Sequence, residues 1–177
     1  NLVSTPVFHN GVVYIAVGQD PEHGEGDGHL WAIDASGTGD ITETGALWHF
    51  GDENYKRTVS TVSIDDGLLY AADLSGFVYC LDAKTGEHHW THDTFAAIWG
   101  SPFVADGKVY IGDEDGDIAI FKMSSDPEVA MPDEEPIVEI NVGNAVYSSP
   151  IVANDVLYIA NKSTLYAISS EEEASTD

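Results

Sequence analysis

Positive charge is scarce in this 177-residue chain: six lysines and arginines, with Arg57 the only arginine, stand against 31 acidic residues, a formal net charge of −25. Proteins grip phosphate backbones with clustered Lys and Arg, so this balance excludes nucleic-acid binding. Anionic membrane surfaces are disfavoured for the same reason. No apolar run approaches the roughly 18 residues of a membrane helix, so no membrane insertion is expected. Cysteine is reduced to Cys80, which rules out an internal disulfide and a Cys-rich zinc site. It lies in the apolar strand pattern from Phe77 to Asp82 and reads as a small buried hydrophobe. Helical periodicity is missing throughout, and Asn1-Leu2-Val3 carries no leader-peptide pattern. What is present is a 43% apolar chain, long enough to bury a core. Its acidic surface favours solubility, cation accumulation and basic partners.

The positive signal is an internal repeat. Four segments align, beginning at Ser4, Ser60, Ser101 and Ser149. Their marker tyrosines, Tyr14, Tyr70, Tyr110 and Tyr158, are spaced by 56, 40 and 48 residues, so forty is the bare unit and the longer spacings hold insertions. Asn10-Gly11, Asp66-Gly67 and Asp106-Gly107 are hairpin signals because such turns need positive φ, and Asp155 replaces the glycine in the fourth unit. Second strands are expected over Val12–Val17, Leu68–Ala72, Val109–Gly112 and Val156–Ala160. Third strands are expected over His29–Asp34, Phe77–Asp82, Asp117–Lys122 and Thr164–Ser169. The fourth strand carries Trp48 and Trp90 in the first two units, and Ile137-Val138-Glu139-Ile140 in the third.

Val78 and Cys80 on one side of a third strand, and Tyr79 and Leu81 on the other, make both faces apolar. A sheet wetted on one face alternates apolar and polar residues, whereas sheets stacked around an axis bury both. The fold class is therefore all-β, a propeller of four-stranded antiparallel blades, with a sandwich the weaker alternative. Blades are expected at about 4–58, 59–98, 99–146 and 147–169, the last incomplete, followed by a disordered acidic tail over 170–177.

The stretch Asp82-Ala83-Lys84-Thr85-Gly86-Glu87-His88-His89-Trp90 resembles the tryptophan-docking signature of the pyrroloquinoline-quinone (PQQ) repeat family. That family includes quinoprotein dehydrogenases and propellers of the BamB type. The resemblance implies that Asp82, Thr85 and Gly86 shape a turn, and that Trp90, like Trp48, packs on the neighbouring blade. It also implies eight blades in a full ring and a periplasmic or extracellular location. With the fourth unit stopping after its third strand, this segment is expected to be the C-terminal half of a seven- or eight-bladed ring. Its partner is then the missing half or a second chain that completes the ring, besides other proteins.

The candidate sites are few. The loop from Gly18 to His29 offers Asp20, Glu22, His23, Glu25, Asp27 and His29 as ligands for Ca²⁺ or a transition metal, although no spacing matches a defined motif. Asp113-Glu114-Asp115-Gly116-Asp117 has glycine fourth instead of sixth and reads as a tight turn, not as a calcium loop. Lys56 and Arg57 form the one basic cluster, a candidate contact for an anionic group or a partner. His88, Trp90 and His92 are expected on one side of their strand, and His89 and Asp93 on the other. No catalytic or cofactor-binding residue can be assigned, and Gly-x-Ser-x-Gly is absent. The expected function is a non-catalytic extracytoplasmic scaffold or binding module without quinone. The alternative is a segment of a PQQ- and Ca²⁺-dependent oxidoreductase whose active-site residues lie elsewhere.

Overall fold

The structure, a computed structural model, describes residues 3–18 and 27–169. Asp20, Glu22, His23 and Glu25, and the tail from 170 onward, lie outside the described residues. Among the described residues, fifteen strands form four antiparallel sheets in chain order. The first blade holds β1 (Val7–His9), β2 (Val12–Val17), β3 (Asp27–Asp34) and β4 (Ala46–Lys56). The second holds β5 (Ser63–Asp65), β6 (Leu68–Ala72), β7 (Phe77–Asp82) and β8 (His88–Asp93). The third holds β9 (Phe103–Ala105), β10 (Lys108–Gly112), β11 (Asp117–Lys122) and β12 (Val138–Asn141). The fourth holds three strands among the described residues, β13 (Ile151–Ala153), β14 (Val156–Ala160) and β15 (Leu165–Ser169). This is a β-propeller arc. One finding departs from the sequence pattern. A single helical turn, α1 (Pro127–Ala130), is followed by a 3₁₀ turn at Pro132–Glu134. Asp126 caps α1 by accepting from the Glu128 N–H, and the insertion buries Ala130 and Met131 against blades two and three.

The first turn of every blade is set by two successive residues with positive φ. They are Asn10 and Gly11 (49° and 82°), Asp66 and Gly67 (44° and 77°), Asp106 and Gly107 (51° and 65°), and Asn154 and Asp155 (52° and 60°). Asn and Asp tolerate this region better than other side-chain-bearing residues, which is why Asp155 can stand where the others have glycine.

Each blade has a leading face toward the next blade and a trailing face toward the one before. Tyr14, Ala16, Leu30 and Ala32 lead from blade one onto Leu69, Ala71, Tyr79 and Leu81 of blade two. Tyr70, Ala72, Val78 and Cys80 lead from blade two onto Val109, Ile111, Ala119 and Phe121. Ile118 and Ile120 lead from blade three onto Leu157, Ile159 and Tyr166. Burial on both faces of the middle blades explains the continuous apolar runs of their strands.

Two devices tie the blades together. Trp48 donates its indole N–H to the Ala83 carbonyl of the next blade at 3.0 Å, and Trp90 donates to the Ser124 carbonyl at 2.8 Å. The marker tyrosine stands the same way against each: centroids are 5.9 Å apart for both Tyr14–Trp48 and Tyr70–Trp90. A register shift precedes both tryptophans, leaving Leu47 and His89 as extra residues. That shift corrects the simple alternation expected for β8: His88 pairs with Leu81 and stacks on Phe50 of blade one, while Trp90 and His92 face Phe121 of blade three. The second device is a ladder of hydroxyls nine residues before each marker tyrosine. Thr5 N–H donates to Thr61 Oγ1 (3.0 Å), Thr61 N–H to Ser101 Oγ (2.9 Å) and Ser101 N–H to Ser149 Oγ (2.8 Å).

Candidate functional site

One side of the arc gathers the turns between second and third strands together with the connections from blade to blade. Leu74 N–H donates to the Arg57 carbonyl, Glu114 N–H to that of Ala97, and Lys162 N–H to that of Ala145. In blades two, three and four this turn opens on an Asp or Asn whose Oδ1 collects backbone donors. Asp73 accepts from Ser75 and Phe77, and Asn161 from Ser163 and Thr164. Asp113 accepts from Asp115, Gly116 and Asp117, each at 3.0 Å. Asp73 and Asp113 are buried, and desolvation raises the pKa of both against the pull of those hydrogen bonds. The Asp113–Asp117 stretch is thus a turn whose first carboxylate oxygen is engaged by three N–H groups.

On this loop face four side chains form a connected surface. Trp99 Nε1 donates to Glu114 Oε2 at 3.0 Å, and the Tyr147 hydroxyl donates to Glu114 Oε1 at 3.2 Å. The two rings meet edge to face, centroids 5.8 Å apart, and the Lys162 ammonium lies 5.0 Å from the Tyr147 centroid. Trp99 and Tyr147 are exposed at 36% and 39% although their polar atoms are anchored. Both stand eleven residues before a marker tyrosine, where the earlier blades have Val3 and Val59. Fixed aromatic rings on a surface lose little conformational freedom on binding, which suits them as interface anchors. The repeat alignment contained this position, but reading each unit from its serine onward left it out.

The sequence-derived candidates fall elsewhere. Lys56 ends β4, where its backbone N–H donates to Asp73 Oδ2 at 3.2 Å, and the carbonyl of Arg57 accepts from Leu74. Both therefore lie beside the Asp73 turn. Asp27 and His29 lie on β3, separated by a register shift. His29 Nδ1 sits 3.1 Å from His49 Nε2, a neighbour the sequence reading did not select, and His49 stacks on Trp31. Burial and the nearby His29 lower the pKa of His49. Among the described residues no three His, Cys, Asp or Glu side chains come together as a metal site. Asp82 Oδ1 accepts from Lys84 N–H, Thr85 N–H and Thr85 Oγ1, shaping the turn that brings Gly86 against the Trp48 ring. Cys80 is buried, which pushes its thiol up to about 12 and leaves it inert as a nucleophile.

A concavity of about 700 Å³ opens between β8, β11 and the α1 insertion, lined by His92, Asp93, Phe95, Met131, Glu135 and Glu139 among others. Its carboxylates repel anions. Among the described residues no helix is long and apolar enough to cross a membrane.

Known proteins share this arrangement. The family model of the outer membrane protein assembly factor BamB matches residues 26–126. The quinohemoprotein alcohol dehydrogenase ADH IIB of Pseudomonas putida is 30% identical over 125 residues, covering 63% of this chain and 16% of that enzyme. The crystal structure of BamB from Moraxella catarrhalis superposes with a TM-score of 0.69 at 19% identity, over 94% of this chain and 46% of that one. The computationally designed Ika4 protein superposes with a TM-score of 0.66 at 13% identity, over 96% of this chain and 91% of that one. The chain thus spans about half of the solved BamB propeller and a small part of the dehydrogenase.

Proposed function

This chain belongs to the PQQ-repeat family of the BamB type, and we propose that its blades serve as a non-catalytic scaffold that binds a partner protein outside the cytoplasm. The observation that carries the reading is the Trp99–Glu114–Tyr147–Lys162 surface. Its carboxylate is spent holding two aromatic rings in place, so the cluster is built to present apolar faces and not to move protons. The family description as an outer-membrane assembly factor supports the extracytoplasmic location. Lys56 and Arg57, beside the Asp73 turn on the same face, offer a contact for a carboxylate of the partner. The test is selection of peptides from a random display library on the immobilised protein. Peptides that bind the parent chain and are lost on Trp99→Ser support the reading. Peptides that bind both proteins equally would move the site away from this cluster.

A second reading rests on the 30% identity with a quinohemoprotein alcohol dehydrogenase: the chain is a segment of a quinone-dependent oxidoreductase. A quinone tricarboxylate fits the loop face poorly, because Glu114 sits at the centre of its aromatic pair. The two readings part when the protein is mixed with PQQ and Ca²⁺ and followed by the quinone's absorbance and dye-linked alcohol oxidation. The scaffold reading expects neither retained quinone nor turnover. It also expects an unchanged thermal midpoint with chelator, whereas a clear downward shift would show a stabilising cation, for which the Gly18–His29 stretch is the candidate.

A further inference from the structure

The first and second junctions share one repeat register but fill it differently. Counted from the marker tyrosines, Tyr55 and Tyr79 at the first junction correspond to Phe95 and Ala119 at the second. The backbone bonds from Leu74 to Arg57 and from Glu114 to Ala97 keep the same count. At the first junction both tyrosines are buried and meet edge to face, centroids 5.2 Å apart, with Phe50 against each ring. There the Tyr79 hydroxyl donates to Asp73 Oδ2 at 2.7 Å, and the Lys56 N–H donates to the same oxygen at 3.2 Å. At the second junction Phe95 is 89% exposed, and Ala119 has only a methyl group where Tyr79 has a phenol. The concavity of about 700 Å³ opens at this place, with Phe95 and Ala119 in its wall.

The exchange leaves a buried carboxylate half-paired. Asp113, the counterpart of Asp73, lines the concavity and is 3% exposed. Its Oδ1 is held by three backbone N–H groups, whereas its Oδ2 has no hydrogen-bond partner among the described residues. A buried polar atom without a donor is costly, so a ligand that brings one is favoured there. Asp93, Asp117, Glu135 and Glu139 add carboxylates to the walls, and the lining holds no lysine or arginine. Among the described residues no three of these groups converge as a metal site, so the negative charge is spread over the walls. Met131, Pro127 and the exposed Phe95 ring supply apolar surface. We propose that this concavity binds an organic cation, an ammonium or guanidinium head on an apolar stem, whose N–H groups donate to Asp113 Oδ2. Such a head reaches several separated acceptors at once, its stem lies on Met131, and the Phe95 face attracts its charge. The volume suits a small molecule or one basic side chain with its neighbours. The site stands on blades two and three alone and does not depend on the Trp99 surface.

Calorimetric titration with agmatine reads the site directly, in about 0.5 M KCl so that loose attraction to the acidic surface is screened. Saturable binding of one agmatine per chain is expected. Asp113→Asn keeps an Oδ1 for the turn, as Asn161 does in blade four, and turns the other atom into a donor. It weakens agmatine by about tenfold or more, the worth of one charge-assisted hydrogen bond. Glu43→Gln removes an exposed carboxylate of blade one and changes the affinity by less than about twofold. Ala119→Tyr restores the phenol of blade two, abolishing binding and raising the thermal midpoint. A capped Gly-Gly-Arg-Gly-Gly peptide tells the sources apart: binding as tight as agmatine's supports a protein side chain, and agmatine alone supports a free amine. The absence of saturable binding overturns the proposal, as does equal affinity in Asp113→Asn. Displacement of agmatine by Ca²⁺ at equal ionic strength overturns the organic cation in favour of a metal.

Discussion

The first two blade junctions and the third solve one problem differently. At the first two, a tryptophan from the earlier blade reaches forward to a carbonyl of the later one, Ala83 or Ser124, and large clusters close around the contact. At the third the direction reverses. Asn161 Nδ2 and the Tyr166 hydroxyl of blade four donate back to the Val142 carbonyl of blade three, at 2.8 and 3.1 Å. Among the described residues only Ile118, Val146 and Ile159 make up the buried cluster there, against 11 and 12 buried residues at the first and second junctions. Hydrogen bonding is thus comparable at all three, and apolar burial separates them. Because burial supplies most of the stabilisation, blade four is the unit expected to open first.

The comparison breaks most readily at Trp90, which is 3% exposed. Trp90→Ala costs about 3–5 kcal/mol in denaturant unfolding, and half-buried Trp48→Ala costs less. A loss for Trp90→Ala no larger than that for a surface substitution would show that the tryptophans decorate the junctions without holding them. Next comes Gly86→Ala, where φ is +74° and a new Cβ would lie 2.7 Å from the Trp48 ring. Strain and overpacking together predict a loss of about 1–3 kcal/mol, largely relieved when Trp48 is already alanine. Tyr166→Phe removes one donor at the third junction and costs about 0.5–1.5 kcal/mol. Hydrogen exchange should quicken in β14 and β15 and leave β6 and β7 unchanged; equal quickening in both would deny blade four its separate opening.

The smallest effect is in pH. Burial lowers the pKa of His92 at the second junction. A folded pKa below the unfolded one means that the folded protein binds fewer protons. The His92 contribution is therefore complete above the unfolded value near 6.5 and declines as pH falls below it. His92→Gln should flatten the dependence of the thermal midpoint on pH between about 7 and 5, and an unaltered slope would remove His92 from the balance.

Much of the scaffold was legible because it is periodic. The marker tyrosines fixed the units, the Asn-Gly and Asp-Gly pairs fixed the first turns, and the apolar runs of β7 and β10 announced burial on both faces. What stayed hidden depends on contacts without a period. The bulge at His89 turns His88 toward Phe50, and no count of alternating residues reveals an extra one. The α1 insertion is one turn long, too short for a helical pattern, yet it seals the second junction with Met131. The Trp99–Glu114–Tyr147–Lys162 surface draws on two connections and two turns, residues up to 63 positions apart in a chain read locally. Of the six residues selected as metal ligands, Asp27 and His29 are placed, and His29 meets a histidine from β4 that the loop reading never considered.

The hydroxyl ladder carries one more lesson. Its rungs are about equal in length, yet the residues that form them are separated by 56, 40 and 48 positions along the chain. Whatever is inserted between rungs is therefore invisible to the rungs themselves. Mutation can lengthen, shorten or replace the segments outside the ladder without altering the pitch at which blades succeed one another. Such a frame evolves like a keyboard, on which single keys are exchanged while the distance between them is kept.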